Sequence, residues 1–558
     1  MTTIDPVLDA ALRSHQAGDL ARAEQLYRQV LAVRPQQADA LHLLGLVCHQ
    51  TGRPREAVEH ITRALELRPD FFEAHYNLGN VLKEQGKPDE AIRSYEQALR
   101  LRPDSAETHY NLANLLRDCG QPERAITGYQ QALRLRPGYA KAYANLGTLL
   151  LDQGKLDEAV AALHQALRLQ PQSARAHSNL GNALRAQGRA AEAVEFTRQA
   201  LRLDPHLAEA HNNLAAALLD LGRIDEALAE FDEALRLRPD YARAHMNRAM
   251  AWLLIGDFER GWPEYEWRWQ TKDFKPRRFP QPRWDGAPLH GRTILLHAEQ
   301  GLGDTIQFIR YARLVKERGG RVVLECPRPL LRLLATCPGV DQVTAPDSSL
   351  PPFDVHAPLL SLPAILGTTL ATVPAAIPYL RADAGLCRHW QSTLSRVPGK
   401  KVGIVWRGNP DNPRDRLRSV PLEQFEPLAR VPGMRLVSLQ RGPGSEEVAA
   451  LAGRFEVIDL GPRLQEESWT FLDTAAVMAC LDLIITIDTA AAHLAGALGA
   501  PVWVALPFAA DWRWLLNRED SPWYPTMRLF RQTRPGDWDS VFRRLTEALT
   551  QGEIGASK

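Results

Sequence analysis

The feature that most restricts how this chain can fold is a proline that returns every 34 residues, at Pro35, Pro69, Pro103, Pro137, Pro171, Pro205 and Pro239. A fixed period of this length, held over so much of the chain, marks an array in which each repeat is one small supersecondary unit. A small residue recurs in the same frame at Ala11, Gly45, Gly79, Ala113, Gly147, Gly181, Ala215 and Ala249, and another at Ala23, Ala57, Ala91, Ala125, Ala159, Ala193 and Ala227. Small side chains at fixed points on two successive helices let those helices approach closely, and the proline ends the second of them.

This helix-turn-helix pattern resembles the tetratricopeptide (TPR) family over roughly residues 5 to 255. The resemblance implies an α solenoid, a right-handed superhelix whose stacked hairpins bury a continuous core and leave a concave groove for a polypeptide partner. Residues 1–270 are expected to hold about seven 34-residue repeats and one atypical end repeat. Past Pro239 the pattern decays, and residues 255–269 still read as a helix, but with Gly261 where alanine stood. The aromatic cluster of Trp262, Tyr265, Trp267 and Trp269 either docks this end repeat on another domain or belongs to a simple capping helix.

A third series, Asn77, Asn111, Asn145, Asn179, Asn213 and Asn247, also steps by 34. An amide side chain donates and accepts at once, which suits a peptide backbone. The series resembles the asparagine ladder of the eukaryotic protein O-GlcNAc transferases, which implies a peptide or protein partner in the groove. The alternative is a set of solvated asparagines copied as the repeat duplicated.

Composition narrows the partners. The 558 residues include 67 basic and 66 acidic side chains, a net charge of +1, so no global field draws the chain to nucleic acid or an anionic membrane. Six cysteines without C-x-x-C spacing argue against a zinc site or a disulfide framework and fit a reducing compartment. No metal and no cofactor are expected. Residues 1–19 lack an apolar run of signal-peptide length, and the apolar stretch 483–510 is broken by Asp488, His493, glycines and Pro501. The reading is a cytoplasmic chain without a transmembrane segment.

From 271 to 292 the composition changes to a polar, basic run with Pro276, Pro280, Pro282 and Pro288, the expected linker. Short β-rich runs then alternate with helical patterns, the signature of α/β folding with parallel sheets and crossover helices. One lobe is expected over 293–399, with strands at 293–298 and 321–326 and a helix over 304–318 between them. A second is expected over 400–550, with strands at 401–406, 434–440, 457–460, 483–487 and 502–506. A final helix over 537–549 is expected to cross back and brace the first lobe.

Three runs, HAEQGLGDTIQF (297–308), VGIVWRGNP (402–410) and DTAAAHLAGALGAPVWVALP (488–507), resemble glycosyltransferase family 9, the heptosyltransferase-like enzymes. The resemblance implies two Rossmann-like lobes in a GT-B arrangement, the acceptor on the first and a nucleotide sugar on the second. It also implies inverting, metal-independent sugar transfer.

Such a reaction needs a base for the acceptor proton and stabilisation of the departing diphosphate. Asp304, after Gly301 and Gly303, stands where the family places its proposed catalytic aspartate, and the glycines let a substrate approach the backbone. Asp304 is equally suited to be a helix N-cap. Glu299 is the reserve base, or else a carboxylate on the rim. For the donor, the strand end and helix start at Asp488, Thr489, Ala490 and His493 offer main-chain N–H groups and short side chains to phosphate. Asp488 itself suits a sugar hydroxyl or the loop. Positive charge is expected from Arg407 and Arg418, within a loop that also carries Arg414 and Arg416. Asp537, Trp538 and Asp539 read as a helix cap. A non-catalytic TPR scaffold with a degenerate glycosyltransferase domain is the competing class, and a nucleotide-sugar epimerase is a third. ADP-heptose follows from one resemblance and UDP-N-acetylglucosamine from the other.

Overall fold

The computed structural model describes residues 6–272, 274, 276–412, 414–460, 464 and 470–554. Part of the amino-terminal stretch, including Asp5, and positions 273 and 275 of the expected linker lie outside the described residues. The chain divides into two compact units, Met1–Ala210 and His211–Lys558.

The first unit is a run of helical hairpins, from Pro6–Gln16 paired with Leu20–Val33 to Ala174–Ala186 paired with Ala190–Leu203. The period-34 prolines stand just beyond each second helix, where the chain leaves helical geometry at residues such as Arg34, Arg68 and Arg102. His75, His109 and His177 place Nε2 2.9–3.0 Å from the carbonyls of Pro69, Pro103 and Pro171, which closes each inter-hairpin turn. Inside the hairpins the helices nearly touch. A Cβ added at Gly45 would lie 2.6 Å from Ile61, and one at Gly147 would lie 2.6 Å from Leu163. The small-residue series is thus a steric requirement of the pairing.

The second unit begins within helix Ala208–Asp220, takes in Ile224–Leu237, Ala242–Ile255 and Phe258–Tyr265, and continues into two parallel sheets. The first sheet has the order β3-β2-β1-β4, with β1 Thr293–His297, β2 Arg321–Glu325, β3 Gln342–Thr344 and β4 Val355–Pro358. The second has the order β10-β9-β8-β5-β6-β7. Its strands are β5 Lys400–Val405, β6 Met434–Ser438, β7 Val457–Asp459, β8 Leu483–Ile487, β9 Val502–Leu506 and β10 Met527–Arg531. β8 and β9 are buried along their whole length, as expected of central parallel strands covered on both faces.

Three features differ from the simplest form of the expectations. The two compact units divide at 210/211, inside helix Ala208–Asp220, and the proline-containing segment 271–292 lies within the second of them. Phe258, Trp262 and Tyr265 share one apolar core with Ile294, Phe308 and Trp512, so the last hairpin is built into the α/β unit. Trp262 meets Trp512, Phe308 and Trp523 edge to face, with centroids 5.2, 6.1 and 6.5 Å away, which is the docking alternative for the end repeat. Second, the expected helix 304–318 is broken into Leu302–Phe308, a 3-10 turn Ile309–Tyr311 and Ala312–Lys316. Buried Arg310 explains the break: its Nε donates to the Gln307 carbonyl while its guanidinium reaches Trp523 O and Tyr379 Oη. Third, the final helix, Trp538–Thr550, does not brace the first sheet. It packs Phe542 on Phe425, at 4.8 Å between centroids, within the core of the second sheet. The sequence reading also missed β3, β4 and β10.

Candidate functional site

A cavity of about 800 Å³ opens at the carboxyl ends of the strands, between the two sheets. In the second sheet the strand order reverses between β5 and β8, and the segments leaving those two strands form its walls. Such a switch point splays the two outgoing loops apart and is where open parallel sheets bind ligands. Asp304, Gly301, Gly303, Arg407, Arg418, Asp488, Thr489, Ala490 and His493 all line this one cavity. Glu299, Arg414 and Arg416 are not among its lining residues.

Asp304 sits in the third position of helix Leu302–Phe308, not at its N-cap, and accepts the Gly301 N–H at 2.9 Å. Its other oxygen accepts from Arg513 Nη2. Burial raises the Asp304 carboxyl above its usual range, and Arg513 opposes the rise. Gly303 has a different use from the one expected: a Cβ there would lie 3.0 Å from His493 and 3.4 Å from the Ala490 Cα. It lets the starts of helices Leu302–Phe308 and Ala490–Ala497 meet at the cavity floor.

Thr489 caps helix Ala490–Ala497. Its Oγ1 accepts the Ala491 N–H at 3.3 Å, and its carbonyl accepts the Ala492 N–H at 3.0 Å. An anion here competes with the cap for those amides. His493 is buried, places Nδ1 3.0 Å from Tyr524 Oη and stacks on Trp514 at 5.3 Å. Burial, with Arg513 and Arg310 nearby, pushes it down to about 3, so the ring is neutral at pH 7. Asp488 is pushed up to about 6 by burial and by the Asp511 carboxylate. Asp511 is half-buried, and Arg513 holds it below the usual range.

The two expected arginines are placed differently. Arg418 donates from Nη1 to the Asp488 carbonyl at 2.8 Å and from Nε to Asp415 at 3.1 Å, which ties the loop after β5 to the end of β8. Arg407 is more open and pairs with Glu447 at 2.7 Å, while its N–H is held by Gln440 Oε1. Arg414 turns away toward Asp220 and the Ala509 carbonyl.

Glu299 is withdrawn from the cavity. Both its oxygens accept from Arg268 Nη2, at 3.0 and 3.1 Å, and one also accepts the Leu360 N–H. Burial raises it to about 7 in spite of Arg268. The pair fastens the 3-10 turn Glu266–Gln270 to the end of β1, which is a positioning task.

The sequence reading missed Arg513 and Asp511. Arg513 is nearly fully buried and joins Asp304, Asp511 at 2.8 Å and Gln307 at 2.8 Å. The signal was a charged pair interleaved with tryptophans, Asp511-Trp512-Arg513-Trp514, just after β9.

The asparagine series is half-buried and largely occupied. Asn111 donates to Tyr76 Oη at 2.9 Å, Asn145 to Tyr110 Oη and Asn114 Oδ1, Asn179 to Thr148 Oγ1, and Asn77 lies 2.9 Å from His42 Nε2. Each is a stitch to the preceding hairpin. In the second unit Asn247 donates to Asn212, whose own amide lies 3.4 Å from Asn213 Oδ1. Asp537 caps helix Trp538–Thr550 by accepting the Ser540 N–H, and no described helix is long and apolar enough to cross a membrane.

A tetratricopeptide-repeat family model matches residues 14–78. The amino-terminal region is a TPR array. A second model, the cilia and flagella-associated protein 70 C-terminal domain, matches residues 71–255. Protein FlbA of Caulobacter vibrioides (strain ATCC 19089 / CIP 103742 / CB 15) is 30% identical over 316 residues, 52% of this chain and 52% of FlbA. The chain thus spans about half the length of this curated relative. Among solved structures, MamA is 27% identical with a TM-score of 0.29, covering 31% of this chain and 94% of MamA. A thermophilic TPR protein of Thermus thermophilus is 29% identical with a TM-score of 0.29, covering 33% of this chain and all of that one.

Proposed function

We propose that this chain is a glycosyltransferase of GT-B type, related to glycosyltransferase family 9, which transfers a sugar with inversion from a nucleoside-diphosphate donor without a metal ion. The observation that carries the reading is the convergence on one cavity of the half-buried Asp304 carboxylate, four arginines and a helix start, at the point where the strand order of the second sheet reverses. Arg407, Arg418 and Arg513 offer the positive charge that a departing diphosphate needs, and the capped start of helix Ala490–Ala497 adds its dipole. Asp304 takes the acceptor proton once Arg513 yields it. Neutral His493 and Asp488 suit sugar hydroxyls. The TPR groove recruits a protein or peptide.

One observation favours a non-catalytic scaffold instead: the Asp304 carboxylate is engaged by both Gly301 and Arg513. Calorimetry with nucleoside diphosphates and their sugars tests the enzyme reading. Arg407→Ala is expected to weaken binding by roughly 10-fold to 150-fold, the equivalent of one charge-assisted contact of about 1.5–3 kcal/mol. An intact chain that binds none of these ligands at millimolar concentration leaves the scaffold as the better account.

A further inference from the structure

The second TPR hairpin of the first unit brings together three side chains that nothing in the cavity uses. Cys48 lies on helix Ala38–Gln50, and Glu56 and His60 lie on helix Pro54–Leu67. The four-residue step from Glu56 to His60 puts both on one helical face. That face turns toward Cys48, so that one ligand-type atom from each of the three lies within 4.8 Å of the others. Cys48 Sγ is 4.0 Å from Glu56 Oε2, and the thiol is fully buried. We propose that Cys48, Glu56 and His60 bind a thiophilic divalent cation of the zinc type and staple the two helices of this hairpin together.

The repeat itself supplies an independent observation. At the place of Cys48 the later hairpins carry Leu82, Leu116, Leu150, Leu184 and Leu218, and at the place of His60 they carry Ser94, Gly128, Ala162, Phe196 and Glu230. Glutamate at the place of Glu56 is the common residue, as in Glu90, Glu158, Glu192 and Glu226. A thiol and an imidazole at these two places therefore fall together in one hairpin, against a carboxylate the repeat already provides. A sulfur, nitrogen and oxygen set of three suits zinc or cobalt, leaves a fourth position to water and disfavours magnesium or calcium. Arg53 Nη1 now lies 3.2 Å from Glu56, but Arg53 also holds Glu24 at 2.6 and 2.8 Å and keeps that partner when Glu56 turns to a cation. On binding, the Cys48 S–H proton passes to solvent and the sulfur lone pair forms the metal bond, with no change of oxidation state.

The test is titration of the reduced full-length chain with cobalt(II), followed by absorption. A thiolate-to-cobalt charge-transfer band with tetrahedral ligand-field bands should saturate at one cobalt per chain and be displaced by zinc. Cys48→Leu installs the residue of the later hairpins, so the chain should keep its helical circular dichroism and lose the band. His60→Ala, matching Ala162, should lower affinity by roughly tenfold or more through loss of one ligand. No charge-transfer band at millimolar cobalt, a band that survives Cys48→Leu, or unchanged affinity in His60→Ala overturns the site.

Discussion

Arg513 donates to the carboxylate of Asp304, a residue 209 positions earlier in the chain. The contact joins the segment after β9 to the helix after β1 and keeps the raised Asp304 carboxyl from rising further. Removing a neighbouring positive charge makes a carboxylic acid weaker. In Arg513→Gln, Asp304 should therefore ionise at higher pH. Carboxyl-carbon NMR of labelled aspartate reads the change directly, and an unshifted Asp304 resonance would show that burial alone sets it.

Asp304→Asn preserves the acceptance from Gly301 N–H and removes the base. Turnover should fall by roughly two to four powers of ten while nucleotide affinity stays nearly constant, the signature of a positioned proton acceptor. Undiminished turnover in a folded Asp304→Asn protein would reduce Asp304 to a helix-start residue.

Glu299→Ala removes one of the two carboxylates that hold buried Arg268 and leaves Glu266 at 2.6 Å as its counter-ion, so the cost should be that of lost charge-assisted hydrogen bonds, about 1.5–3 kcal/mol. Urea unfolding should register a loss of that order. The double variant Arg268→Met with Glu299→Leu should recover most of it, because the buried guanidinium that lost its acceptor is removed as well. A single variant as stable as the parent would count against the fastening role.

Truncation tests where the units divide. Residues 271–558 alone would expose the surfaces that Phe258, Trp262 and Tyr265 cover and should aggregate, whereas a chain starting near 205, at the turn before helix Ala208–Asp220, should be monodisperse in gel filtration. Equal behaviour of the two fragments would restore the proline-containing segment as the boundary.

His493 gives a pH test with a definite sign. Its folded value of about 3 lies below the unfolded 6.5, so the unfolded chain takes up a proton first as pH falls. The stability it contributes is complete above pH 6.5 and is lost progressively down to about pH 3. His493→Gln, which can still reach Tyr524, should gain on the parent by about 2 kcal/mol between pH 7.5 and pH 5. A pH-independent difference in urea midpoints would mean that His493 protonates freely in the folded state.

Much of the first unit could be read from sequence because its constraints are local and repeated. A glycine that must clear Ile61, or a proline that must end a helix, leaves the same mark every 34 residues. A further series went unread: Gly18, Gly52, Gly86, Gly120, Gly154 and Gly188 all take left-handed φ angles of 69–81° in the hairpin turns. The cavity was legible where a strand end met a helix start, as at Asp488 and Thr489. It was illegible where function depends on distant partners. Nothing local marks Glu299 as a counter-ion of Arg268, or Arg513 as the partner of Asp304, since the first pairing is made by docking the end of the last hairpin on the first sheet and the second by the packing of two sheets. The short strands β3 and β4 escaped for a related reason: of three and four residues, they are defined by their neighbours more than by their own pattern.

The docked aromatic hairpin also bears on how such a chain can change length over generations. Excising or duplicating 34 residues within Pro6–Leu203 rejoins a helix to its equivalent and keeps the close small-residue contacts between helices, as at Gly45 and Gly147, of the same kind. The same event across Phe258–Tyr265 would tear Trp262 out from between Trp512, Phe308 and Trp523. Repeat number is free to drift at the amino-terminal side of the array, while the last hairpin is inherited together with the α/β fold it completes.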